Sequence, residues 1–393
     1  MKNDFFRYQA QTSSQPLALE ISLANGSYIY DSNGKEYLDF VAGVSANSLG
    51  HGHPKVIRAI QDQLQKYMHV MVYGEFIQQS QLELCKAICE QLPPQLQSVY
   101  LTNSGTEATE GAMKLAKRYT GRAEIIAANN AYHGNTQGAM SVCGTENQNR
   151  AFRPLIPGIK FIEFNHTADL GMITEKTAAV ILETIQGGAG FIVPGDNYLK
   201  KVKQRCEEVG ALLILDEIQT GIGRTGTFFG FQNFKVIPDI VITGKGLGGG
   251  MPIGAFIASF EMMAHLKEHP KLGHITTFGG HPVIAAAALA TVREITQSDL
   301  MQQVAEKENR FRNLLKDPAI KEIRGKGLML ALIMESPEIA SNIILKSLER
   351  GLLLYWLLYE GRAIRISPPL TISHDEIEKG CKILSEVIAE VTR

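Results

Sequence analysis

Cysteine, net charge and long apolar runs are all scarce in this chain of 393 residues. Its five cysteines are an odd number without a Cys-x-x-Cys pair, which predicts reduced thiols rather than a disulfide framework. A formal charge of −1 offers no basic surface for nucleic acid. The longest aliphatic stretch, Val283 to Ala290, is too short to cross a membrane, and the first residues contain no apolar run of signal length. The composition therefore predicts a cytoplasmic globular protein with a substantial core.

Two motifs that could suggest a nucleotide or a metal are incomplete. The glycine-rich segment Gly244 to Gly250 lacks the Gly-Lys-Ser/Thr ending of a P-loop, and no Gly-x-Gly-x-x-Gly follows a first strand. His51 and His53 form a His-x-His pair without a third ligand nearby in the sequence. His53 and Pro54 are better explained as the start of a helix with proline in its first turn. We therefore predict neither a dehydrogenase nor a metal site.

Asp216 ends a short apolar run, and Lys245 follows another. Each run predicts a buried strand. A lysine at a strand end can form a Schiff base with an aldehyde cofactor, and a buried carboxylate can keep a pyridinium nitrogen protonated. Each residue also has an ordinary explanation, Lys245 as a surface lysine in a glycine-rich turn and Asp216 as a helix N-cap. Together they are the two groups that pyridoxal phosphate requires.

The segment Asn103 to Ala108 is a candidate phosphate site. It follows the apolar residues Val99 to Leu101 and begins a stretch with helical spacing of apolar residues. Free N–H groups and the helix dipole at such a start attract an anion. The alternative is an ordinary capped helix with an acidic residue in its first turn. A third strand-like run ends at Glu183, and the carboxyl ends of parallel strands are where open sheets place their ligands.

Helical and apolar strand segments alternate from about residue 55 to 280, which is typical of a mainly parallel sheet covered by helices. The segments on either side mix short strands with helices. We predict an α/β protein in which residues 1–54 begin a small domain, residues 55–285 form a large cofactor-binding domain, and residues 286–393 complete the small domain.

An ordered set of motifs covers nearly the full length of the chain. They are Gly50-His51-Gly52-His53-Pro54, Asn103 to Ala108, Tyr132-His133-Gly134, Glu183-x-x-Gln186-Gly187, Asp216 to Gly221, Gly244-Lys245-Gly246, Thr276 to Gly280 and Arg324 to Leu328. In this set and order the chain resembles the class III, fold-type I aminotransferases, which use pyridoxal phosphate and include ornithine, acetylornithine and 4-aminobutyrate aminotransferases. The resemblance implies a large domain with a mainly parallel seven-stranded sheet and a small α+β domain from both termini. It also implies transfer of an amino group from an amino acid or ω-amine to 2-oxoglutarate or another keto acid.

The resemblance assigns roles to single residues. Lys245 would bind the cofactor and then move the proton between substrate and cofactor. Asp216 would pair with the pyridinium nitrogen, and Gln219 would reach the phenolic oxygen of the ring. Ile218 and Tyr132 would contact opposite faces of the ring, although Tyr132 could also be a half-buried packing aromatic.

The remaining implied contacts involve the phosphate, the substrate and a second subunit. The resemblance also implies cofactor contacts by four further residues, namely Ser104, Gly105, Thr106 and Glu183. Of these, Gly105 and Thr106 would hold the phosphate. Arg365 would hold the α-carboxylate of the substrate as a bidentate fork, unless it is a strand residue with a solvated head. Thr277 comes from the neighbouring subunit in this family, so a homodimer with shared sites is implied.

Two positions depart from the acetylornithine and ornithine enzymes. Those enzymes typically have arginine where this chain has Asn135, and glutamate where it has Gly188. Their arginine contacts a substrate carboxylate, and their glutamate pairs with the arginine that matches Arg365. We therefore expect Arg365 to be free more of the time, which leaves the amine donor open. The alternatives are an aminomutase of the glutamate-1-semialdehyde type and a catalytically silent binding protein on the same fold.

Overall fold

The computed structural model describes residues 1–71, 74–195 and 197–393. The first part of the chain contains α1 (Lys2–Tyr8), β1 (Ile21–Asn25), β2 (Tyr28–Asp31), β3 (Glu36–Asp39), α2 (Ala42–Ser45), α3 (Pro54–Leu64) and α4 (Gln79–Cys89). The middle contains β4 (Ser98–Thr102), α5 (Gly105–Thr120), β5 (Glu124–Ala128), α6 (Gln137–Ser141), α7 (Glu146–Asn149), β6 (Ile159–Ile162), β7 (Thr177–Glu183), α8 (Tyr198–Val209), β8 (Leu212–Asp216), β9 (Ile240–Gly244), β10 (Gly254–Ala258), α9 (Phe260–Ala264) and α10 (Pro282–Gln297). The last part contains α11 (Leu300–Leu314), β11 (Glu322–Gly325), β12 (Leu330–Ile333), α12 (Pro337–Glu349), β13 (Leu352–Leu353), β14 (Tyr355–Trp356), β15 (Ala363–Ile366) and α13 (His374–Thr392).

The large sheet has seven strands in the order β4-β10-β9-β8-β7-β5-β6. Strand β10 runs antiparallel to both of its neighbours, and the pairs from β9 to β6 are parallel. This confirms the predicted mainly parallel sheet. Because parallel neighbours end at one edge, the register places Glu183 beside Asp216 and Asp216 beside Ile242.

Apolar residues along the central strands are buried on both faces of this sheet. Every residue of β7 is buried. Val180 belongs to the core on one face, and Ile181 belongs to the core on the other. Such continuous burial is expected of a parallel sheet covered on both sides. Gly111 brings α5 close to this sheet, since a Cβ there would lie 2.3 Å from the ring of Phe256.

Two smaller sheets complete the fold, in the orders β1-β2-β3-β13 and β11-β12-β15-β14. In the first of them β13, from the last part of the chain, pairs in parallel with β3, from the first part. This pairing confirms the predicted small α+β domain from both termini. The domain boundaries at 54/55 and 285/286 stay a prediction, and α10 runs through the second.

Helix α3 begins at Pro54 with His53 as its N-cap, so the predicted proline-first helix is confirmed. His51 instead donates a hydrogen bond to the carboxylate of Asp39, with 2.8 Å between Nε2 and Oδ2. Among residues 1–71, 74–195 and 197–393, no group of three or more possible ligands lies close enough to hold a metal ion. Within the same ranges, every helix is too short or too polar to cross a bilayer.

Candidate active site

A cavity of about 440 Å³ opens at the carboxyl edge of the large sheet. One side, which we call the sheet wall, is formed by Gly105, Thr106, Tyr132, His133, Gly134, Asn135, Glu183, Asp216, Ile218, Gln219, Thr220 and Lys245. The other lining residues, which we call the outer wall, are Val44, Ile185, Gly188, Tyr355, Trp356, Leu358 and Arg365. The cavity therefore brings together all of the predicted site residues except Ser104 and Thr277.

Lys245 immediately follows β9 and adopts a left-handed backbone conformation, with φ of 39°. A non-glycine residue in this region is strained, and such strain tends to occur at functional sites. Burial lowers the pKa of its ammonium below the ordinary value, although the negative charges of Asp216 and Glu183 act in the opposite direction. A larger fraction of Lys245 is thus a neutral amine at neutral pH than in an exposed lysine.

Asp216 ends β8 and is held in place from two directions. Its Oδ2 lies 2.7 Å from Nδ1 of His133, and its Oδ1 accepts a hydrogen bond of 2.9 Å from the backbone N–H of Ile218. Both side chains are buried. His133 orients the Asp216 carboxylate, and the other ring nitrogen of His133 is buried without a partner.

The start of α5 is both a capped helix and a wall of the cavity. Ser104 is the N-cap, and its hydroxyl accepts a hydrogen bond of 3.4 Å from the N–H of Glu107. The ordinary capped helix is therefore present. Gly105 and Thr106 follow in the first turn, where N–H groups have no intrahelical acceptor, and both line the cavity. This arrangement suits a phosphate group.

Ile218 packs directly on the start of α5. A Cβ at Gly105 would lie 2.6 Å from Cδ1 of Ile218, so glycine is required for this close approach. Gln219 also lines the cavity, and its side-chain amide donates a weak hydrogen bond of 3.4 Å to the hydroxyl of Ser45. Tyr132 is 38% exposed, which leaves its ring accessible to a ligand in the cavity.

Glu183 ends β7 and supports two loops. Its carboxylate accepts hydrogen bonds of 2.9 Å from the N–H of Gly187 and 3.3 Å from the N–H of Tyr132. Burial raises the pKa of Glu183 to about 7, and the charge of Asp216 adds to this shift. Glu183 therefore ties the Gly187 loop to the loop that carries Tyr132.

Arg365 lies on β15 opposite Ala331 and Tyr355. It is only 5% exposed, and both Nε and Nη1 are buried without a hydrogen-bond partner. Its guanidinium lies 5.6 Å from the ring centre of Phe191. Burial lowers the pKa of Arg365 to about 10, so the group is still charged at neutral pH. A buried and unpaired guanidinium is suited to a carboxylate supplied by a ligand.

Two buried cations hold the segment that follows Arg365. Arg224 donates to the carbonyl oxygens of Pro368 and Leu328, and Lys307 donates to that of Leu370 at 2.6 Å. The N–H of Ser367 donates to the carbonyl of Phe40 at 2.7 Å. These contacts fix the end of β15 and therefore the position of Arg365.

Thr277 is exposed and does not line the cavity of its own chain. Its carbonyl oxygen lies 2.9 Å from Nε2 of His69. The neighbouring side chains Ile275 and Phe278 are 44% and 55% exposed.

Sequence reasoning missed most of the outer wall, namely Val44, Ile185, Tyr355, Trp356 and Leu358. Val44 belongs to four consecutive residues with positive φ, from Ala42 to Ser45, and a β-branched residue in this conformation is strained. The rarity of tryptophan could have drawn attention to Trp356, which is the only one in the chain. Tyr355 gave no local signal, because pairing of β14 with β15 brings it to the cavity.

The chain is similar to known proteins over nearly its whole length. A family model described as "Aminotransferase class-III" matches residues 8–388. The acetylornithine aminotransferase of Caldanaerobacter subterraneus is 40% identical over 378 residues, 93% of each chain. That of Aquifex aeolicus is 37% identical over 380 residues, 95% of this chain and 97% of its own. The crystal structure of the ornithine aminotransferase from Toxoplasma gondii superimposes with a TM-score of 0.92 at 32% identity, covering 100% of this chain and 96% of that chain.

Proposed function

Because the chain belongs to the class III aminotransferases, which are enzymes dependent on pyridoxal phosphate, we propose that it takes an amino group from an acetylornithine- or ornithine-like donor. The acceptor is 2-oxoglutarate or another keto acid. The observation that carries this proposal is one cavity in which a buried lysine, a histidine-bound aspartate and a helix N-terminus meet. The family, fold class, cofactor and transaminase activity predicted from the sequence are confirmed.

The donor groups of the sheet wall fit pyridoxal phosphate. Gly105 and Thr106 would hold the phosphate, Asp216 the pyridinium nitrogen and Gln219 the phenolic oxygen, while Tyr132 and Ile218 would contact the ring. Glu183 would support the ring contact through the backbone of Tyr132. When bound, the cofactor supplies an aldehyde and a positively charged ring that withdraws electrons from the amino-bearing carbon of the substrate.

Lys245 has two tasks in this proposal. Its Nζ would hold the cofactor at the aldehyde, a role that requires a neutral amine, and burial lowers the pKa of Lys245 in that direction. With a substrate bound, Nζ would also be the group that accepts the proton of the substrate carbon and later donates it again. His133 keeps the Asp216 carboxylate aimed at the cavity during these steps.

Arg365 binds the carboxylate of the amino or keto acid. The support for this role is its burial together with two N–H groups that have no partner in the chain. A carboxylate would satisfy both groups as a bidentate pair and orient the substrate toward Lys245.

We also propose a homodimer in which Thr277 serves the phosphate site of its neighbour. The support is the exposure of Thr277 among apolar side chains that a single chain leaves in contact with water: Met68, Val70, Phe76, Ile77, Ile275 and Phe278. Such patches are typical of protein interfaces. Mixing Lys245→Ala subunits with Thr277→Ala subunits would give one heterodimer site with both defects and one with neither. Activity should rise above either parent, whereas mixed dimers without recovery would refute a shared site.

A cytoplasmic location belongs to the same proposal. It is supported by the five cysteines, which are all free and include three buried ones. Burial raises the pKa of Cys206 to about 12 and that of Cys143 to about 11, so these thiols are protonated and unreactive.

The activity can be tested with enzyme loaded with pyridoxal phosphate. N-acetylornithine or ornithine is incubated with a keto acid, and both products are quantified by mass spectrometry. We expect one amino group to reach the keto acid for each donor consumed, with Lys245→Ala as the inactive control. A donor rearranged without any keto acid would indicate the aminomutase instead, and cofactor binding without turnover of any amine would indicate a silent binding protein.

A further inference from the structure

Among the described lining residues, only one cationic side chain is available to bind a substrate anion. The lining residues that the structure describes include two side chains that are ordinarily cationic, Lys245 and Arg365. Lys245 is required for the cofactor. His133 is engaged with Asp216. Arg365 is therefore the one lining cation available to a substrate carboxylate within the described chain.

Arg365 is also available without competition from the protein. Within the described residues it forms no ion pair, and two of its nitrogens are buried and unpartnered. The outer wall has no acidic side chain, and at Gly188 the ring of Tyr359 packs close to the backbone. A Cβ at Gly188 would lie 2.9 Å from that ring, and the N–H of Tyr359 donates to the Gly188 carbonyl at 2.9 Å.

The rest of the outer wall is neutral. Val44, Ile185 and Leu358 are aliphatic, and the indole N–H of Trp356 is already bound to the hydroxyl of Ser341 at 3.0 Å. On the sheet wall, the lining residues Tyr132 and Asn135 are exposed, and neither side chain carries a positive charge. A second carboxylate on the substrate would lose water here without meeting a cation.

We propose that this site is specific for amino and keto acids with a single carboxylate, which binds Arg365, and with an uncharged remainder that packs against the outer wall. The inference rests on the proposed aminotransferase function and names its substrate class. N-acetylornithine fits this class, since its second amine is acylated and it has one carboxylate. Dicarboxylic acids, including 2-oxoglutarate, bind more weakly than monocarboxylic acids of the same length. We expect about a 10-fold difference or more, the usual effect of a buried charged group without a partner.

Binding can be measured on the cofactor-loaded enzyme without turnover. Pentanoate and glutarate have the same five-carbon chain and differ only in the second carboxylate. Trp356 lines the cavity and is the only tryptophan, so its fluorescence reports binding, and calorimetry gives an independent Kd. Pentanoate should bind at least about 10-fold more tightly than glutarate. Equal or tighter binding of glutarate, including through a cation from a partner subunit, would overturn the proposal.

Substitution at Asn135 tests whether the missing cation is the cause. Asn135→Arg places a charge at the cavity rim and should shift the pentanoate-to-glutarate ratio by about 10-fold or more toward glutarate. Asn135→Gln lengthens the side chain without a charge and should leave the ratio unchanged. A ratio that moves equally in both variants, or in neither, would contradict the proposed specificity.

Turnover separates this inference from the proposed function. The acceptors 2-oxopentanoate and 2-oxoglutarate are compared by kcat/KM with one donor, and we expect the monocarboxylate to be preferred about 10-fold or more. If neither acid receives an amino group but the binding ratio holds, the aminotransferase function fails and the binding preference stands. If 2-oxoglutarate is the equal or better acceptor, the function stands and the inference is wrong.

Discussion

The sheet wall and the outer wall of the cavity differ in how their charged groups are paired. On the sheet wall, Asp216 is bound to His133, and Glu183 accepts two backbone N–H groups. On the outer wall, Arg365 is equally well buried but has two unpaired nitrogens. A resident cofactor can be met by groups that the protein itself holds in position. In the proposed function, a substrate that enters and leaves at each cycle would bring the partner of Arg365 with it.

The two walls also differ in backbone regularity. On the sheet wall, Glu183 and Asp216 end strands, and Gly105 and Thr106 lie in the first turn of α5, although residues 132–135 lie in a loop. The outer wall combines a short strand, β14, with the left-handed turn from Ala42 to Ser45. Rigid elements position the reacting groups, and the irregular side leaves room for substrate specificity.

The largest effect should follow from removing the negative charge of Asp216 on the sheet wall. Asp216→Asn should bind the cofactor but lose turnover on the order of 10²-fold or more, because the ring nitrogen loses its electrostatic partner. Its neighbour His133 would still find a hydrogen-bonding side chain, so folding should be preserved. Stopped-flow measurement of the donor half-reaction tests this. If Asp216→Asn turned over normally at full cofactor occupancy, the charge of Asp216 on the sheet wall would have no role in catalysis.

Removing the positive charge of Arg365 on the outer wall should weaken the use of substrates and leave cofactor binding unchanged. Arg365→Ala should lower kcat/KM for carboxylate-containing donors by about 10- to 100-fold, the usual effect of losing a charge-assisted bidentate contact. Covalent attachment of the cofactor to Lys245 should be unchanged. Arg365→Lys is the matched control and should recover only part of the loss, since a lysine cannot form the fork. Equal losses for an amine without a carboxylate would indicate that Arg365 only braces the fold.

A smaller effect should come from crowding the outer wall. Gly188→Ala places a methyl group 2.9 Å from the ring of Tyr359, so the ring must shift. We expect the free energy of unfolding to fall by about 1–2 kcal/mol. Gly171→Ala is a matched control, because a Cβ there meets nothing within 4 Å. Urea denaturation compares the two variants, and equal stabilities would show that the ring contact is loose.

The smallest effect concerns the coupling of Lys245 to Asp216. If the neutral amine of Lys245 attacks the cofactor aldehyde, as proposed, attachment to the cofactor-free protein should speed up as pH rises and level off below the ordinary lysine pKa. The charge of Asp216 raises this pKa, and Asp216→Asn should therefore move the profile to lower pH. Attachment rates across a pH series measure the displacement. A profile that moves to higher pH would contradict the assigned coupling.

The sequence was informative where chemistry and regular structure coincide. Lys245, Asp216 and Glu183 could be identified because each lies at the end of an apolar run, and the parallel register then brings these ends together. The capped start of α5 could be identified from its local motif.

The outer wall could not be predicted in the same way. Trp356 reaches the cavity through pairing of β14 with β15, and Tyr359 covers Gly188 across 171 positions of sequence separation. Apolar side chains of this kind look like ordinary core residues in a sequence. The role of Thr277 stays a prediction, because a single chain does not contain the contact that defines it.

The central claim is that Lys245 carries the cofactor on a sheet wall that is complete without Arg365. Cofactor-loaded enzyme can be reduced with borohydride, digested and analysed by peptide mass. We expect one cofactor equivalent per chain on the peptide that contains Lys245, retained in Arg365→Ala and absent in Lys245→Ala. A cofactor attached to another lysine, or transamination by Lys245→Ala at the wild-type rate, would contradict it.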